Sequence, residues 1–311
     1  MKVGVVGAGN VGATVAQEIL HHNLADVALV DIVEGYAAGK ALDLAQAGAV
    51  LGYDRTVTGS TDLATLAGSD VVVITAGFPR KPGMDRSELL AKNMKVVGGV
   101  AEAVKSEAPD AVVVVVTNPV DAMSYVTLRR TGFGRERVLG MAGVLDGARM
   151  AFFLARRLGV SSRDVVTLVL GGHGDGMVPV TSRATAGGVP VTELIDADQL
   201  MKIVSRTQTG GGEIVKLLGT GSAFYAPGAS VYKMVDSILK DAHRVLPASV
   251  FLKGEFGLED VFVGVPIRLG RSGMESVLEV ELSDNERAAL AESAEHVREL
   301  QVECDRIGNT M

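Results

Sequence analysis

Short runs of unbroken β-branched and aliphatic residues mark the first half of the chain, each followed by a longer stretch in which apolar residues recur at helical spacing. Val3 to Val6, Val27 to Val30, Val71 to Ile74 and Val112 to Val116 are the clearest of these runs. A run without polar alternation predicts a strand covered on both faces. Val11 to His21, Gly35 to Ala47, Ser87 to Glu107 and Val120 to Arg130 read as the helices between them. Strand and helix taking turns in this way predict parallel βαβ units and an α/β fold with a doubly wound parallel sheet.

Past about Val144 the pattern changes. Helical stretches from Asp146 to Leu158, Asp196 to Gly211 and Gly221 to Leu239 are mixed with short strands at Val165 to Leu170, Ser249 to Leu252 and Val261 to Leu269. The Gly187-Gly188 pair predicts a hairpin turn. Ser283, with Glu286 three residues on, predicts a capping box that opens a last helix reaching about Ile307. The chain therefore divides into a doubly wound part, residues 1–143, and a C-terminal α+β part, residues 144–311. No repeat, low-complexity tract or long linker separates them, so the two are expected to pack closely.

Composition narrows the classes of partner. Of 311 residues, 47% are apolar, enough for a large core without staples, and the net charge of −7 argues against a broad basic surface for nucleic acid or anionic lipid. The single cysteine, Cys304, excludes an internal disulfide and points to a reducing compartment. Gly7, Gly9 and Asn10 break the first apolar run before it resembles a secretory leader, and no stretch reaches membrane-spanning length. A soluble, cytoplasmic protein is expected.

Gly7-Ala8-Gly9-Asn10-Val11-Gly12 has the G-x-G-x-x-G spacing, directly after an apolar strand and directly before a helix. In that setting the glycines allow a tight turn, close approach of a pyrophosphate and close helix packing, with the helix N-terminus facing the phosphates. Asp31 ends the second strand 19 residues after Gly12, where a carboxylate accepts ribose hydroxyls and repels a 2′-phosphate. The first part is thus expected to be a Rossmann domain that binds NAD rather than NADP.

A nucleotide site does not name a reaction, but four further groups fit hydride exchange with a 2-hydroxy acid. His173, in Gly171-Gly172-His173-Gly174-Asp175, follows a strand and carries an imidazole, a group that ordinarily titrates near neutrality and suits exchange of a hydroxyl proton. The other histidines, His21, His22, His243 and His296, read as surface residues. Asp146 and Arg149 share a helix face, so one suits orientation of His173 and the other a carboxylate clamp; the same spacing also fits an ordinary surface ion pair. The segment from Gly77 to Arg86 sets Arg80, Lys81 and Arg86 at the C-terminal edge of the sheet, as in a basic lid, or equally in a solvated loop. Asn118 ends the fourth run, placed to bond a substrate oxygen or the nicotinamide ribose, or to cap a helix.

These segments, together with Ile74-Thr-Ala-Gly-Phe-Pro-Arg-Lys-Pro-Gly-Met, Val116-Thr-Asn-Pro-Val-Asp, Met141-Ala-Gly-Val-Leu-Asp and Gly221-Ser-Ala-Phe-Tyr-Ala-Pro, resemble the lactate/malate dehydrogenase family over nearly the whole chain. The resemblance implies NAD-dependent interconversion of malate and oxaloacetate, with His173 as proton acceptor and Asp146 as its partner. It further implies Arg149 on the substrate C1 carboxylate, Arg86 on the reacting carbonyl, Asn118 on substrate, and Arg80 as the group that selects a dicarboxylate. Gly7 to Gly12, Asp31, Asn93 and Val116, Thr117 and Asn118 would contact the cofactor, with no metal. Gly147 stands where the family often has a larger residue. A homo-oligomer is implied, a tetramer rather than a dimer. The rival readings are a lactate or broad 2-keto-acid dehydrogenase, which Arg80 opposes, and an idle NAD-binding regulator, which would need none of His173, Asp146, Arg149 and Arg86.

Overall fold

The computed structural model describes residues 1–79 and 86–308. In the first half, β1 (Lys2–Val6), β2 (Asp26–Val30), β3 (Val57–Ser60), β4 (Val71–Ile74), β5 (Val112–Val115) and β6 (Val138–Gly140) lie in the parallel order β3-β2-β1-β4-β5-β6. Helices α1 (Asn10–His21), α2 (Tyr36–Leu51), α3 (Arg86–Glu107) and α4 (Val120–Thr131) connect them. Successive residues of each buried strand serve opposite layers. Val71, Val73, Val112 and Val114 join the apolar cluster that includes Val15 and Ile19 of α1. Val72, Ile74, Val113 and Val115 join the cluster with Val97 of α3 and Met123 of α4. Demand for apolar side chains on both faces is why these strands read as unbroken runs. Strand order reverses between β1 and β4, which opens a crevice beyond their C-terminal ends.

The second half contains α5 (Gly143–Leu158), β7 (Val165–Val166), β8 (Val169–Gly171), β9 (Met177–Pro179), β10 (Thr185–Ala186), β11 (Val189–Pro190), α6 (Val191–Leu194), α7 (Ala197–Leu218) and α8 (Tyr225–Leu239). It ends with β12 (Arg244–Lys253), β13 (Glu259–Gly270), β14 (Gly273–Val277) and α9 (Asp284–Gly308). The expected hairpin forms between β10 and β11. Ser283 and Glu286 form the reciprocal capping box: the Glu286 N–H donates to Ser283 Oγ at 3.3 Å and the Ser283 N–H to Glu286 Oε2 at 2.9 Å.

The segment from Val165 to Leu170 is two strands rather than one. β7 pairs with β10 in a small three-stranded sheet, whereas β8 pairs with β9 and β13 in the main sheet. The switch falls at Thr167, whose hydroxyl donates to the Gly147 carbonyl of α5 at 2.8 Å. The strands at Ser249 and Val261 run longer than their apolar centres suggest, because β12 and β13 pair along most of their length. β6 meets β12 where Gly140 pairs with Ser249, so one sheet, eleven-stranded among the described residues, passes through both halves.

Helix α8 lies across α1 at a close contact. A Cβ on Gly228 would stand 2.5 Å from Thr14 Cγ2 and 2.8 Å from Thr14 Cβ. Thr14 is buried, its rotamer is stiff, and its hydroxyl is committed to the Asn10 carbonyl at 2.8 Å, so it has nowhere to retreat. Gly228→Ala is expected to destabilise the fold by about 1–3 kcal/mol through overpacking. A urea unfolding curve measures this, and an unchanged midpoint would contradict the assigned contact.

Candidate active site

The glycine loop closes β1 onto α1 by backbone contact. Gly7 has φ of +101°, and a Cβ there would stand 2.6 Å from the Ala76 nitrogen at the end of β4. A Cβ on Gly12 would strike the Gly7 carbonyl oxygen. Gly9 is different: a Cβ there would meet nothing within 4 Å, and both it and Asn10 are exposed. The first turn of α1 has no side-chain cap and no acidic residue, so its N–H groups are open to an anion. Asp31 is tied to this loop. Its Oδ2 accepts the Ala8 N–H at 2.8 Å and its Oδ1 the Val33 N–H at 3.1 Å, which fixes the carboxylate beside the glycine turn. A crowded turn with one open glycine, an uncapped helix end and a fixed carboxylate fits a dinucleotide.

The ends of β4 and β5 are bound together by Asn93 of α3. This side chain, expected as a cofactor contact, is fully buried. Its Oδ1 accepts the Phe78 N–H at 2.7 Å, and its Nδ2 donates to the Phe78 carbonyl at 3.1 Å and the Asn118 carbonyl at 2.7 Å. Thr117 adds to the same joint, donating to the Ala76 carbonyl at 2.8 Å. Val116 continues the ladder by donating its N–H to Ile74 at 2.9 Å. Asn118 is exposed at the head of α4, and its side chain makes no protein hydrogen bond among the described residues. Arg80 lies outside the described residues, and so does the side chain of Arg86.

His173 sits in a loop gripped from three helices. Its Nδ1 is 2.8 Å from Asp146 Oδ2 on α5, and its backbone N–H donates to Asp121 Oδ2 on α4 at 2.9 Å. From α9, Ser293 accepts the Gly172 N–H at 2.8 Å and donates to the Gly176 carbonyl at 2.6 Å, drawing the loop's ends together. Gly171, with φ of +83°, allows the turn, since a Cβ there would stand 2.8 Å from both Ser293 Oγ and the Gly176 oxygen. With Nδ1–H donating to Asp146, the neutral ring keeps its lone pair on Nε2. His21, His22, His243 and His296 are all exposed.

The other Asp146 oxygen takes Arg149. Nη1 of Arg149 lies 3.1 Å from Asp146 Oδ1, and the two side chains are 14% and 2% exposed. Burial of this degree removes the reading as a surface ion pair. Arg149 crosses helix α7 beside Gly210 and Gly211, where a Cβ would come within 3.4–3.5 Å of its side chain. Gly147 packs against Thr167, whose Oγ1 would be 3.2 Å from a Cβ. The imidazole, carboxylate and guanidinium thus form one row, with Asp146 in the middle.

Burial presses the His173 pKa down, but the charge and hydrogen bond of Asp146, with Asp121 behind the loop, outweigh it and hold the pKa above its ordinary value against the opposing Arg149. In the sequence Asp121 is only the last residue of the segment Val116-Thr-Asn-Pro-Val-Asp. In the fold it is buried, accepts the Ser249 hydroxyl at 2.6 Å, and has its pKa raised by burial against the pull of its two hydrogen-bond donors. Its local signal, a carboxylate in the first turn of a helix that starts at a sheet's C-terminal edge, places it near the site but does not name its partner.

Fold and site together define an NAD-binding α/β protein with a carboxylate-paired histidine in its second half. Residues 1–140 match the lactate/malate dehydrogenase NAD-binding domain, and residues 143–305 match the lactate/malate dehydrogenase alpha/beta C-terminal domain. The chain belongs to the lactate/malate dehydrogenase family. It is 58% identical to a malate dehydrogenase of Thermomicrobium roseum over 299 residues, 96% of each chain. The solved malate dehydrogenase of Salinibacter ruber is similar with a TM-score of 0.95 at 48% identity, over 100% of this chain and 99% of that one. A Cryptosporidium parvum lactate dehydrogenase, solved with lactic acid and nicotinamide adenine dinucleotide, has a TM-score of 0.95 at 41% identity over 98% of each chain.

A pKa raised by folding contributes stability that is complete below the ordinary imidazole value and is lost as pH rises through the raised value. Asp146→Asn removes the larger of the two carboxylate contributions while burial persists. In this variant the His173 pKa, read by NMR of labelled histidine, is expected to fall below the wild-type value by about one unit or more. An unmoved titration would contradict Asp146 as the charge that controls the ring.

Proposed function

We propose that this chain is an NAD-dependent malate dehydrogenase that interconverts (S)-malate and oxaloacetate. The observation that carries the reading is the buried row His173, Asp146 and Arg149, in which an imidazole and a guanidinium share one carboxylate. His173 accepts the substrate hydroxyl proton at Nε2 and returns it in the reverse direction, while Asp146 fixes the tautomer and stabilises the imidazolium. Arg149 holds the C1 carboxylate with the donors that Asp146 leaves over. Asn118 offers its amide to substrate or nicotinamide ribose, Arg86 polarises the reacting carbonyl, and Arg80 faces the second carboxylate. NAD, when bound, supplies the hydride acceptor. Gly7, Ala8, Gly9, Asn10, Val11 and Gly12 hold its pyrophosphate, Asp31 its adenosine ribose, and Val116 to Asn118 the nicotinamide end. Asn93 acts on that end through the two loops it ties.

Residues 1–143 serve the cofactor and residues 144–311 the substrate on this reading. A homo-oligomer, a tetramer rather than a dimer, is supported by exposed apolar side chains such as Leu42 and Val50 on α2 and Leu217 and Leu218 on α7. Cytoplasmic residence is supported by the free, buried Cys304 and by the lack, among the described residues, of a helix long and apolar enough to cross a membrane.

Loss of the proton acceptor separates chemistry from binding. His173→Asn is expected to lower turnover by at least about a hundredfold with NADH affinity, followed by fluorescence titration, nearly unchanged. Near-normal turnover would assign the base elsewhere.

Arg80 decides between dicarboxylate and lactate chemistry. Its guanidinium pairs with the far carboxylate of oxaloacetate but is desolvated without a partner against the methyl of pyruvate. The wild type is expected to prefer oxaloacetate by about a thousandfold or more in kcat/KM. Arg80→Gln should collapse that ratio, whereas Arg149→Ala should impair both keto acids, since both carry the C1 carboxylate. A ratio within about tenfold of wild type in Arg80→Gln would remove Arg80 as the discriminator.

A further inference from the structure

Against the backbone of the His173 loop lies a second buried carboxylate that no step above employs. Asp121 is 4% exposed and stands in the first turn of α4. Each of its oxygens has one donor: Oδ2 takes the His173 backbone N–H at 2.9 Å, and Oδ1 takes the Ser249 hydroxyl of β12 at 2.6 Å. Loop, helix and strand therefore meet on this one group. Gly172 leaves no slack in the joint, because a Cβ there would stand 3.4 Å from Asp121 Oδ2 and 2.8 Å from Val297 Cγ2 of α9.

We propose that Asp121 is a positioning residue for the proton-exchanging imidazole, anchoring the His173 backbone between α4 and β12 and supplying a second buried negative charge that stabilises the imidazolium beside Asp146. The proposal rests on the reading of His173 as proton acceptor. The charged groups that face His173 from the packed elements are Asp146 and Arg149 on α5 and Asp121 on α4. Against the rest of the loop and Asp121, α9 sets Ser293 and Val297, β12 sets Ser249 and β13 sets Gly264, all uncharged. Asp175, two residues on in the same loop, is exposed and so is screened by solvent. Two donors on the two oxygens, at the N-terminal end of a helix, pull against the upward push of burial on the Asp121 carboxyl. That arrangement suits a ring that must carry a proton in one direction of the reaction and lose it in the other.

Asp121→Asn separates charge from anchorage. The amide oxygen still accepts the His173 N–H, and the Ser249 hydroxyl turns to accept from the amide nitrogen. The experiment is the pH profile of kcat/KM in both directions for wild type, Asp121→Asn and Ser249→Ala, with urea unfolding as a check on the fold. Loss of the Asp121 charge is expected to move the limb for malate oxidation to lower pH by about one unit, and to cut oxaloacetate reduction about tenfold above the wild-type pKa. Ser249→Ala leaves one carboxylate oxygen without its donor, favours protonation of Asp121, and is expected to shift the limb in the same direction by a smaller amount. If Asp121→Asn fails to fold, the Ser249→Ala profile decides. Limbs within about 0.2 units of wild type, read on the folded variants, overturn the proposal and leave Asp121 as anchorage alone. If His173→Asn itself retains turnover, the proton-acceptor reading fails first, and that result is distinct from an unshifted profile in an active Asp121→Asn enzyme.

Discussion

A carboxylate shared by an imidazole and a guanidinium governs the second half of this protein. Asp146 is almost wholly withdrawn from water and gives one oxygen to His173 and the other to Arg149. Without it, two groups capable of positive charge would be buried side by side, and burying an unpaired charge costs several kcal/mol. The surrounding structure serves this row: α5 carries two of its members one turn apart, Ser293 of α9 closes the loop that carries the third, and the glycines of α7 leave a channel for the Arg149 stem. The nucleotide half depends on an analogous bond at smaller cost, since Asp31 is partly exposed and is held against the glycine turn by the Ala8 N–H.

Much of this was legible in the chain because the signals are local. β1, β2, β4 and β5 announce themselves as apolar runs since both faces of each are covered, and the G-x-G-x-x-G turn shows in its own spacing, although what crowds Gly7 is Ala76 at the end of the distant β4. His173 stands out by its glycine neighbours. β3 and β6 leave no such mark, because Val-Thr-Gly-Ser is half exposed and Val-Leu-Gly is too short to show a period. The break within Val165 to Leu170 was also hidden: five of its six residues are aliphatic, and what divides them is a bond from Thr167 to a helix twenty residues earlier.

The roles of Asn93 and Asp121 lay beyond reach for a related reason. Each acts on backbone groups brought near only by the fold, Asn93 on Phe78 and Asn118, and Asp121 on His173. Sequence pattern places a polar residue on a helix but does not name its distant partner. A position that resembles a ligand contact can thus serve the ligand by fastening the loops around it, and only the hydrogen-bond inventory of a buried amide separates the two.

The continuous sheet sets a limit on modularity. The nucleotide half ends at β6, whose open side is met by β12, and the cluster that contains Val3 and Val73 also contains Val250 and Val265. Cutting the chain near residue 143 would leave two raw strand edges and strip an apolar layer from each piece, the condition in which sheets pair with strangers. Neither half is therefore a portable cassette, and the two should melt as a single cooperative body rather than in succession. Partners for recombination or transplantation would have to be chosen at the loops that rim the sheet, where the backbone can change without opening an edge.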